Sequence, residues 1–467
     1  MLGKTRKIHF IGIGGTGMSG IAEVLINLGY QVTGSDLAGN QAIDRLISLG
    51  GKISIGHHAD QVAGADVVVV SSAVRKNNEE LVQAERLQIP TIPRAEMLGE
   101  LMRMKYSIGI AGSHGKTSTT SMIAQVLSDA DLDPTIVIGG RLGVLGSNAK
   151  LGRGDLLVAE ADESDGSFLK LSPKVAVVTN IDAEHLDHFG DLDRLRVAFG
   201  DFLNRVPFYG ASILCVEDPH CREVLPQLTR RTITYGIEQP ADLSATDIRL
   251  QGRESAYTAN FQGEKLGSVR LRVPGIHNIL NSLAALAVGQ DLELPFRTIT
   301  ASLADFHGAE RRFQILGEIG GILVVDDYAH HPTEIRATLT AARAGWPDRR
   351  RVVVFQPHRY SRVLALAGEF HRCFADADLL IVTDIYPAGE DPIPGVEAES
   401  LVEGIRATGH PRVEFLPDLE TIPERLLKCT ASGDLVLTLG AGTVGRVAAG
   451  LAERLKRRNR TAEGRSR

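Results

Sequence analysis

Residues 107–127, SIGIAGSHGKTSTTSMIAQVL, restrict the fold more than any other stretch of the chain. A short apolar run, Ile108 to Ala111, enters the turn Gly112-Ser113-His114-Gly115-Lys116-Thr117. Helical spacing follows, with Met122, Ile123, Val126 and Leu127 on one face. Strand, glycine turn, Lys-Thr and helix make the layout of a phosphate-binding loop. Glycines let backbone N–H groups turn inward on phosphate oxygens, and the helix N-terminus adds partial positive charge. In such a loop Lys116 reaches the β/γ-phosphates of a nucleotide and the Thr117 hydroxyl sits on Mg²⁺. The spacing departs from the common G-x-x-x-x-G-K-[ST], because Ile110 stands where the earlier glycine is expected. The bland alternative is a strand-to-helix turn with a solvated lysine.

At 467 residues the chain is too long for one core, so two to four domains are expected. Apolar residues make up 43% and charged residues 23%, the mix of a globular protein. A net charge of −6 argues against nucleic acid as a partner. No apolar run approaches the roughly 20 residues of a membrane span. The first residues, MLGKTRKIHFIGIGG, lack the apolar region and cleavage site of a signal peptide. The expectation is a cytoplasmic protein with no membrane partner. The four cysteines, Cys215, Cys221, Cys373 and Cys429, fit a reducing compartment. Cys215, His220 and Cys221 lack a second ligand pair and read as ordinary thiols rather than a zinc site.

Over residues 7–100 short apolar runs (IHFIGI, QVTGSD, KISI, DVVVVSSAV) alternate with helical patterns at 19–28, 41–49 and 79–87. That alternation predicts a parallel sheet with helices on its faces. The first turn, Gly12-Ile-Gly14-Gly15-Thr16-Gly17, is a G-x-G-x-x-G, and Asp36 ends the next strand. Glycines against a diphosphate and an acid on a ribose hydroxyl are the matching chemistry. The motif is weak alone, since Gly440-Ala-Gly442-Thr-Val-Gly445 fits it too. The first copy reads as a site for a diphosphate nucleotide, the second as a tight strand-to-helix turn near a nucleotide. An oxidoreductase using a dinucleotide is the competing class, but it leaves the Lys116 loop without a purpose.

A boundary is expected near residue 105. Beyond the phosphate loop, LLVAEADESD (156–165) is an apolar run ending in acids, with Glu160 the first choice for Mg²⁺ and Asp162 and Glu163 next. VAVVTNIDAEHLDHF (175–189) runs into Asp182, Glu184, His185, Asp187 and His188, a cluster able to bind metal or relay protons. Residues 210–274 alternate in the β manner and read as an antiparallel insertion. His277, Asn278 and Asn281 then open an Ala/Leu-rich helix. A second boundary is expected near 308. Four or five further apolar runs follow, most ending in polar or charged residues, and open parallel sheets bind ligands at the carboxyl ends of strands. Asp326, Asp327, His330, His331, His358, Arg359, Arg362 and Asp384 should therefore share one rim. The basic tail, 456–467, reads as a frayed end.

In combination GSHGKTST (112–119), EADESD (160–165), HNILNSLAA (277–285), ERRFQ (310–314), DDYAHHPTE (326–334), QPHRYSR (356–362) and DIYPAGEDPIPG (384–395) resemble the Mur ligases, the three-domain amide ligases of peptidoglycan precursor synthesis. The resemblance runs from HFIGIGGTGMSGIA (9–22) to GAGTVG (440–445), and the shortened loop is that family's own form. It implies an α/β chain of three domains. These are a Rossmann-like sugar-nucleotide domain (1–105), a P-loop ATPase-like domain with an antiparallel insertion (106–308) and a Rossmann-like amino-acid domain (309–467). It also implies ATP-driven ligation of an amino acid, L-alanine, to the lactyl carboxylate of UDP-N-acetylmuramate; a sister activity adds a tripeptide instead.

By the same resemblance ATP would meet Gly112, Ser113, His114, Gly115, Lys116, Thr117 and Ser118, with His277, Asn278 and Asn281 near adenine and Arg312 and Asp327 near the nucleotide. Thr117 and Glu160 would hold one Mg²⁺, and Glu160 with His185 a second. Gly14, Thr16, Gly17, Asp36 and Ser71 would contact UDP; Tyr328, His330, Arg359 and Arg362 would line the amino-acid pocket. Lys116, Glu160, His185, His330 and Arg359 are the expected catalytic set. Some relatives carry a carbamylated lysine at the second metal, but no lysine lies between Lys174 and Lys265. A monomer or weak homodimer is expected.

Overall fold

Three sheets carry the strands of residues 2–71, 73–138 and 149–465, the part of the chain described by the computed structural model. Residues 1–247, 257–270 and 279–309 form one unit; residues 248–256, 271–278 and 310–467 form another. The Thr16 side chain and those beyond Asn459 lie outside the described residues.

The first sheet has the order Lys52–Ile55, Gln31–Asp36, Lys7–Ile11, Val67–Val70, Thr91–Pro93, and every pair is parallel. Lys7–Ile11 is its centre, so all but the first residue are buried. The helices Thr16–Asn27, Gln41–Ser48, Glu79–Arg86 and Arg94–Arg103 return the chain between strands. The edge strand Thr91–Pro93 escapes the sequence pattern because three residues ending in proline show no period. Proline is tolerated there because an edge strand can do without one ladder donor.

One buried carboxylate ties this sheet to its helices. Glu80 has no exposed side-chain surface; Oε2 lies 2.5 Å from His9 Nε2, and Oε1 accepts from Ser35 Oγ at 2.6 Å and His57 Nδ1 at 2.7 Å. His9 Nδ1 continues the chain to Thr33 Oγ1 at 2.7 Å. Asn78 caps the helix that delivers Glu80.

The second sheet holds ten strands among the described residues, and its parallel core runs 232–236, 211–215, 175–178, 106–111, 156–160, 135–137. Here the expectation of an antiparallel insertion beginning at residue 210 is corrected. Ala211–Cys215 pairs in parallel with Val175–Val178, and Thr232–Gly236 in parallel with Ala211–Cys215, because the helical segments 192–204 and 219–227 carry the chain back before each of them. Among the described strands after residue 210, Leu243–Gln251, which pairs in parallel with Thr232–Gly236, is joined to Glu254–Phe261 and that to Glu264–Leu271 by two-residue turns, the connection that antiparallel pairing allows. Cys215 and Cys221 are buried free thiols; burial pushes Cys215 up to about 12 and Cys221 well above its ordinary value.

The third sheet has the order 314–319, 322–327, 434–439, 350–355, 379–382, 413–415, with the first pair antiparallel and the rest parallel. Its two faces bury separate apolar clusters, one under Pro332–Gly345 and Ala398–Ala407, the other under Ile422–Cys429 and Gly445–Arg465. The last helix corrects the expected frayed tail, since its backbone stays helical to Arg465. Leu451 and Leu455 on its buried face anchor it. No described helix is long and apolar enough to cross a membrane.

Removing one partner of a buried charged network costs about 3 kcal/mol or more. Glu80→Ala should therefore lower the unfolding midpoint of the protein in thermal or urea melts. Burial works to raise the Glu80 carboxyl, but hydrogen bonds from His9, Ser35 and His57 hold it below its ordinary value. Its contribution is then complete above the unfolded carboxylate value and fades as pH falls through the lower folded value. The gap between wild type and variant should narrow only in that acid range; a constant gap down to the acid limit would exclude the ionised form as the source.

Candidate active site

The phosphate loop sits at the carboxyl end of Tyr106–Ala111, and Lys116 is the first residue of the helix Lys116–Asp129. Gly115 has φ +82°, and a Cβ on it would lie 2.8 Å from Asn281 Oδ1, so both backbone and space demand glycine. Thr119 Oγ1 donates to the same Asn281 oxygen at 3.1 Å. The neighbouring strand fixes the other side. Asn180 Oδ1 accepts from His114 N at 2.8 Å, and Thr179 Oγ1 donates to His114 O at 2.6 Å. Ser113 Oγ accepts from Asp182 N at 2.8 Å, and His114 Nε2 meets Asp182 Oδ2 at 2.9 Å. Ser118 is buried in the first turn behind the loop.

Lys116 Nζ donates to Gly112 O at 2.5 Å, Ser113 O at 3.2 Å and Glu163 Oε1 at 2.7 Å. Burial disfavours this ammonium, but Glu163 holds its pKa above the ordinary value. The same burial pushes Glu163 up to about 7 against the pull of Lys116. Glu163 Oε2 is buried with no hydrogen-bond partner among the described residues. One oxygen each of Glu163 and Glu184 and one ring nitrogen of His185 lie within 4.8 Å of one another. An orphaned carboxylate oxygen in a cluster of two acids and an imidazole fits a divalent cation.

Sequence reasoning ranked Glu160 above Glu163. Glu160 ends its strand with Oε1 buried, and Glu163, carried on by the turn that closes at Gly166, meets Lys116 and His185. No spacing rule gives the fold of that turn. Glu184 appeared only within a longer acidic run. Asp187 and His188 belong to the short helix Leu186–Phe189, and neither joins the cluster.

The first glycine turn lies at the carboxyl end of the first sheet. Asp36 Oδ2 accepts from Gly14 N at 2.8 Å, and Asn40 Nδ2 donates to Gly14 O at 3.1 Å. Asp36 thus buckles the turn from below, and Ser71 packs on Gly12 from the next strand. The helix Thr16–Asn27 starts at once, and Gly17 in its first turn lies against the Arg94 guanidinium.

In the other unit the rim is aromatic and cationic. The Arg311 and Arg312 guanidiniums lie 5.3 and 5.1 Å from the Tyr328 ring centroid, a cation–π contact from each. His330 packs edge-on to Tyr328 and to His358, and His358 stacks on Tyr386. His330 Nδ1 donates to Tyr328 O at 3.0 Å and also faces Glu334 Oε2 at 3.2 Å. Arg359 has φ +70° and pairs with Glu390 at 3.4 Å; Arg362 Nη1 reaches His358 Nδ1 at 3.3 Å. Burial, with His330 and the two arginines adding to it, pushes His358 down to about 4. Asp327 accepts the backbone N–H groups of Phe313 and Ala329, and burial raises it to about 6 despite Arg312. His277 is pushed down to about 4 by burial and Arg312, and Asn278 Nδ2 donates to Pro274 O.

The single rim expected of eight residues is thus corrected. His330, His358, Arg359 and Arg362 cluster. Asp326 is buried and spoken for, with Arg311 Nε at 2.8 Å and Thr438 Oγ1 at 2.7 Å. His331 caps the helix Pro332–Gly345 in a box with Glu334, and Asp384 is exposed. The second G-x-G-x-x-G is the tight turn expected, and its Gly440 and Gly442 carbonyls accept from Arg311 at 2.7 and 3.2 Å. Arg311 went unnoticed beside Arg312 because adjacent arginines look alike in a sequence.

Three family models match in succession: Mur ligase family, catalytic domain, over 7–106; Mur ligase middle domain over 110–289; and Mur ligase, glutamate ligase domain, over 311–442. The UDP-N-acetylmuramate–L-alanine ligase of Geobacter sulfurreducens is 58% identical over 445 residues, 95% of this chain and 96% of that protein. Its counterpart in Sorangium cellulosum is 53% identical over 99% of both chains. The crystal structure of the UDP-N-acetylmuramate–alanine ligase of Thermotoga maritima matches with TM-score 0.82 at 29% identity, covering 96% of this chain and 99% of that one. With three models laid end to end along it and such relatives over nearly its whole length, the chain belongs to the Mur ligase family.

Proposed function

We propose that this chain joins L-alanine to the lactyl carboxylate of UDP-N-acetylmuramate, with cleavage of ATP to ADP and phosphate, in peptidoglycan synthesis. The observation that carries the chemistry is Lys116, held by Glu163 at a glycine loop beside a cluster of acids and an imidazole. The whole-length likeness to alanine-adding ligases supports the choice of amino acid.

In the first step a carboxylate oxygen forms a bond to the γ-phosphorus, and the bond to the β,γ-bridging oxygen breaks with its electrons leaving on ADP. The alanine amine then displaces phosphate from the acyl carbon. Lys116 and the loop N–H groups, with Gly112, Ser113, His114, Gly115, Thr117 and Ser118, bind and orient the triphosphate. Thr117, Glu160, Glu163, Glu184 and His185 would hold Mg²⁺, one or two ions. Mg²⁺ supplies neutralisation of the charge that gathers on the phosphates. His277, Asn278, Asn281, Arg312 and Asp327 serve the nucleotide; the low pKa of His277 gives a neutral ring suited to a base edge. Gly14, Thr16, Gly17, Asp36 and Ser71 serve UDP. Arg359 and Arg362 grip the alanine carboxylate, and Tyr328 lines that pocket. His330, beside Tyr328 and His358, orients or deprotonates the amine. Residues 1–105, 106–308 and 309–467 divide the three substrates among them. We read the protein as a cytoplasmic monomer or weak homodimer.

Phosphate release with UDP-N-acetylmuramate and a panel of alanine, glycine, serine and a peptidoglycan tripeptide tests the reaction. Alanine should dominate; turnover with the tripeptide alone would replace this reading. Lys116→Ala should reduce turnover by roughly a thousandfold, as loss of a group that stabilises transition-state charge does, while UDP-substrate binding persists. Glu163→Gln should shift the Mg²⁺ titration of activity to higher concentration, and an unmoved titration would remove Glu163 from the metal. Arg359→Ala should raise KM for alanine far more than KM for ATP.

A further inference from the structure

Arg94 is the first residue of the helix Arg94–Arg103, directly after the edge strand Thr91–Pro93. It therefore stands on the carboxyl rim of the first sheet, where open parallel sheets take their ligands. Its guanidinium lies so close to Gly17 that a Cβ there would collide with Nη1. At its other end Nη2 donates to Asp162 Oδ2 at 3.0 Å. Asp162 immediately precedes Glu163, the partner of Lys116, and the charges of Arg94 and Lys116 hold Asp162 below the ordinary carboxylate range although burial opposes them. One side chain thus spans from the sugar-nucleotide turn to the acids beside the phosphate loop. Its side chain is 26% exposed, and Nε and Nη1 make no hydrogen bond to the described residues.

We propose that Arg94 binds the lactyl carboxylate of UDP-N-acetylmuramate and aims it at the γ-phosphate; the inference rests on the function proposed above. The diphosphate at Gly14–Gly17 and the triphosphate at Lys116 fix the two ends of the reacting pair. The carboxylate must pass between them, where Arg94 lies. Two anions approach there, and a guanidinium stays charged at every working pH and offers a planar fork that matches a carboxylate. Asp162 already holds one arm of that fork, which keeps the guanidinium on the line of approach before substrate arrives. Arg94 gives and takes no proton: it positions the attacking oxygen and lowers the repulsion between it and the phosphate.

The test compares equilibrium binding of UDP-N-acetylmuramate and UDP-N-acetylglucosamine, which lacks the lactyl carboxylate, to wild type, Arg94→Gln and Arg94→Lys. Arg94→Gln should weaken UDP-N-acetylmuramate by about tenfold to a hundredfold, the usual loss for a hydrogen-bonded charge pair, and leave UDP-N-acetylglucosamine and the KM for ATP nearly unchanged. Arg94→Lys keeps the charge without the fork and should fall between. It also retains a cation for Asp162, so it decides the question if the glutamine variant folds poorly. Equal losses on both sugar nucleotides would make Arg94 a tie between two sheets and overturn the proposal, as would no loss on either. Should wild type form no ADP with UDP-N-acetylmuramate and alanine, the proposed function falls and this inference with it. Should wild type be active while the variants keep the wild-type preference for the carboxylate, Arg94 alone is refuted.

Discussion

The contact between Lys116 and Glu163 is the one on which the site depends. An ammonium buried at the base of a glycine loop would lose its proton without a counter-charge, because burial penalises the charged form. Glu163 at 2.7 Å and two loop carbonyls keep it charged and fix its direction. The cost appears on the other partner, which burial pushes up to about 7. Removing either residue would leave the other buried and uncompensated. The pair also joins two strands that are neighbours in the sheet, since Tyr106–Ala111 leads into Lys116 and Leu156–Glu160 into Glu163. Sheet register therefore sets the distance between the Lys116 ammonium and the Glu163 carboxylate.

Most of the fold was legible because α/β alternation leaves a strong period. QVTGSD and KISI occupy the strands Gln31–Asp36 and Lys52–Ile55 residue for residue. The failures share a cause, which is that periodicity reports burial and not direction. ASILCV and RTITYGI read as strands correctly and as antiparallel wrongly, because direction depends on whether the connection crosses the sheet face. The segments 192–204 and 219–227 make those crossings.

The site was legible where a residue type has few other uses. Lys116 after glycines, and histidines and arginines at strand ends, announce themselves. Asp326 and His331 stand in the same motif as Asp327 and His330, yet one is locked by Arg311 and Thr438 and the other caps a helix. A polar run at a strand end serves structure and chemistry at once. Only the partner each side chain finds separates the two, and that partner lies far away in sequence: Arg311 contacts Gly442, Arg94 contacts Asp162.

Charge explains why Lys116 and Arg94 are both found on carboxylates. Lys116 and Arg94 would repel each other and pay for burial if left bare; Glu163 and Asp162, adjacent in sequence, hold one each. By the function proposed above, such an arrangement is hostile to phosphates, since Glu163 and Glu184 add negative charge beside the loop of Lys116. At 4 Å and an effective dielectric near 20, each such carboxylate–phosphate approach costs about 4 kcal/mol. By the function proposed above, a divalent cation among Glu163, Glu184 and His185 would reverse that sign and leave Lys116 to turn its donors to phosphate, while Asp162 keeps Arg94 in place.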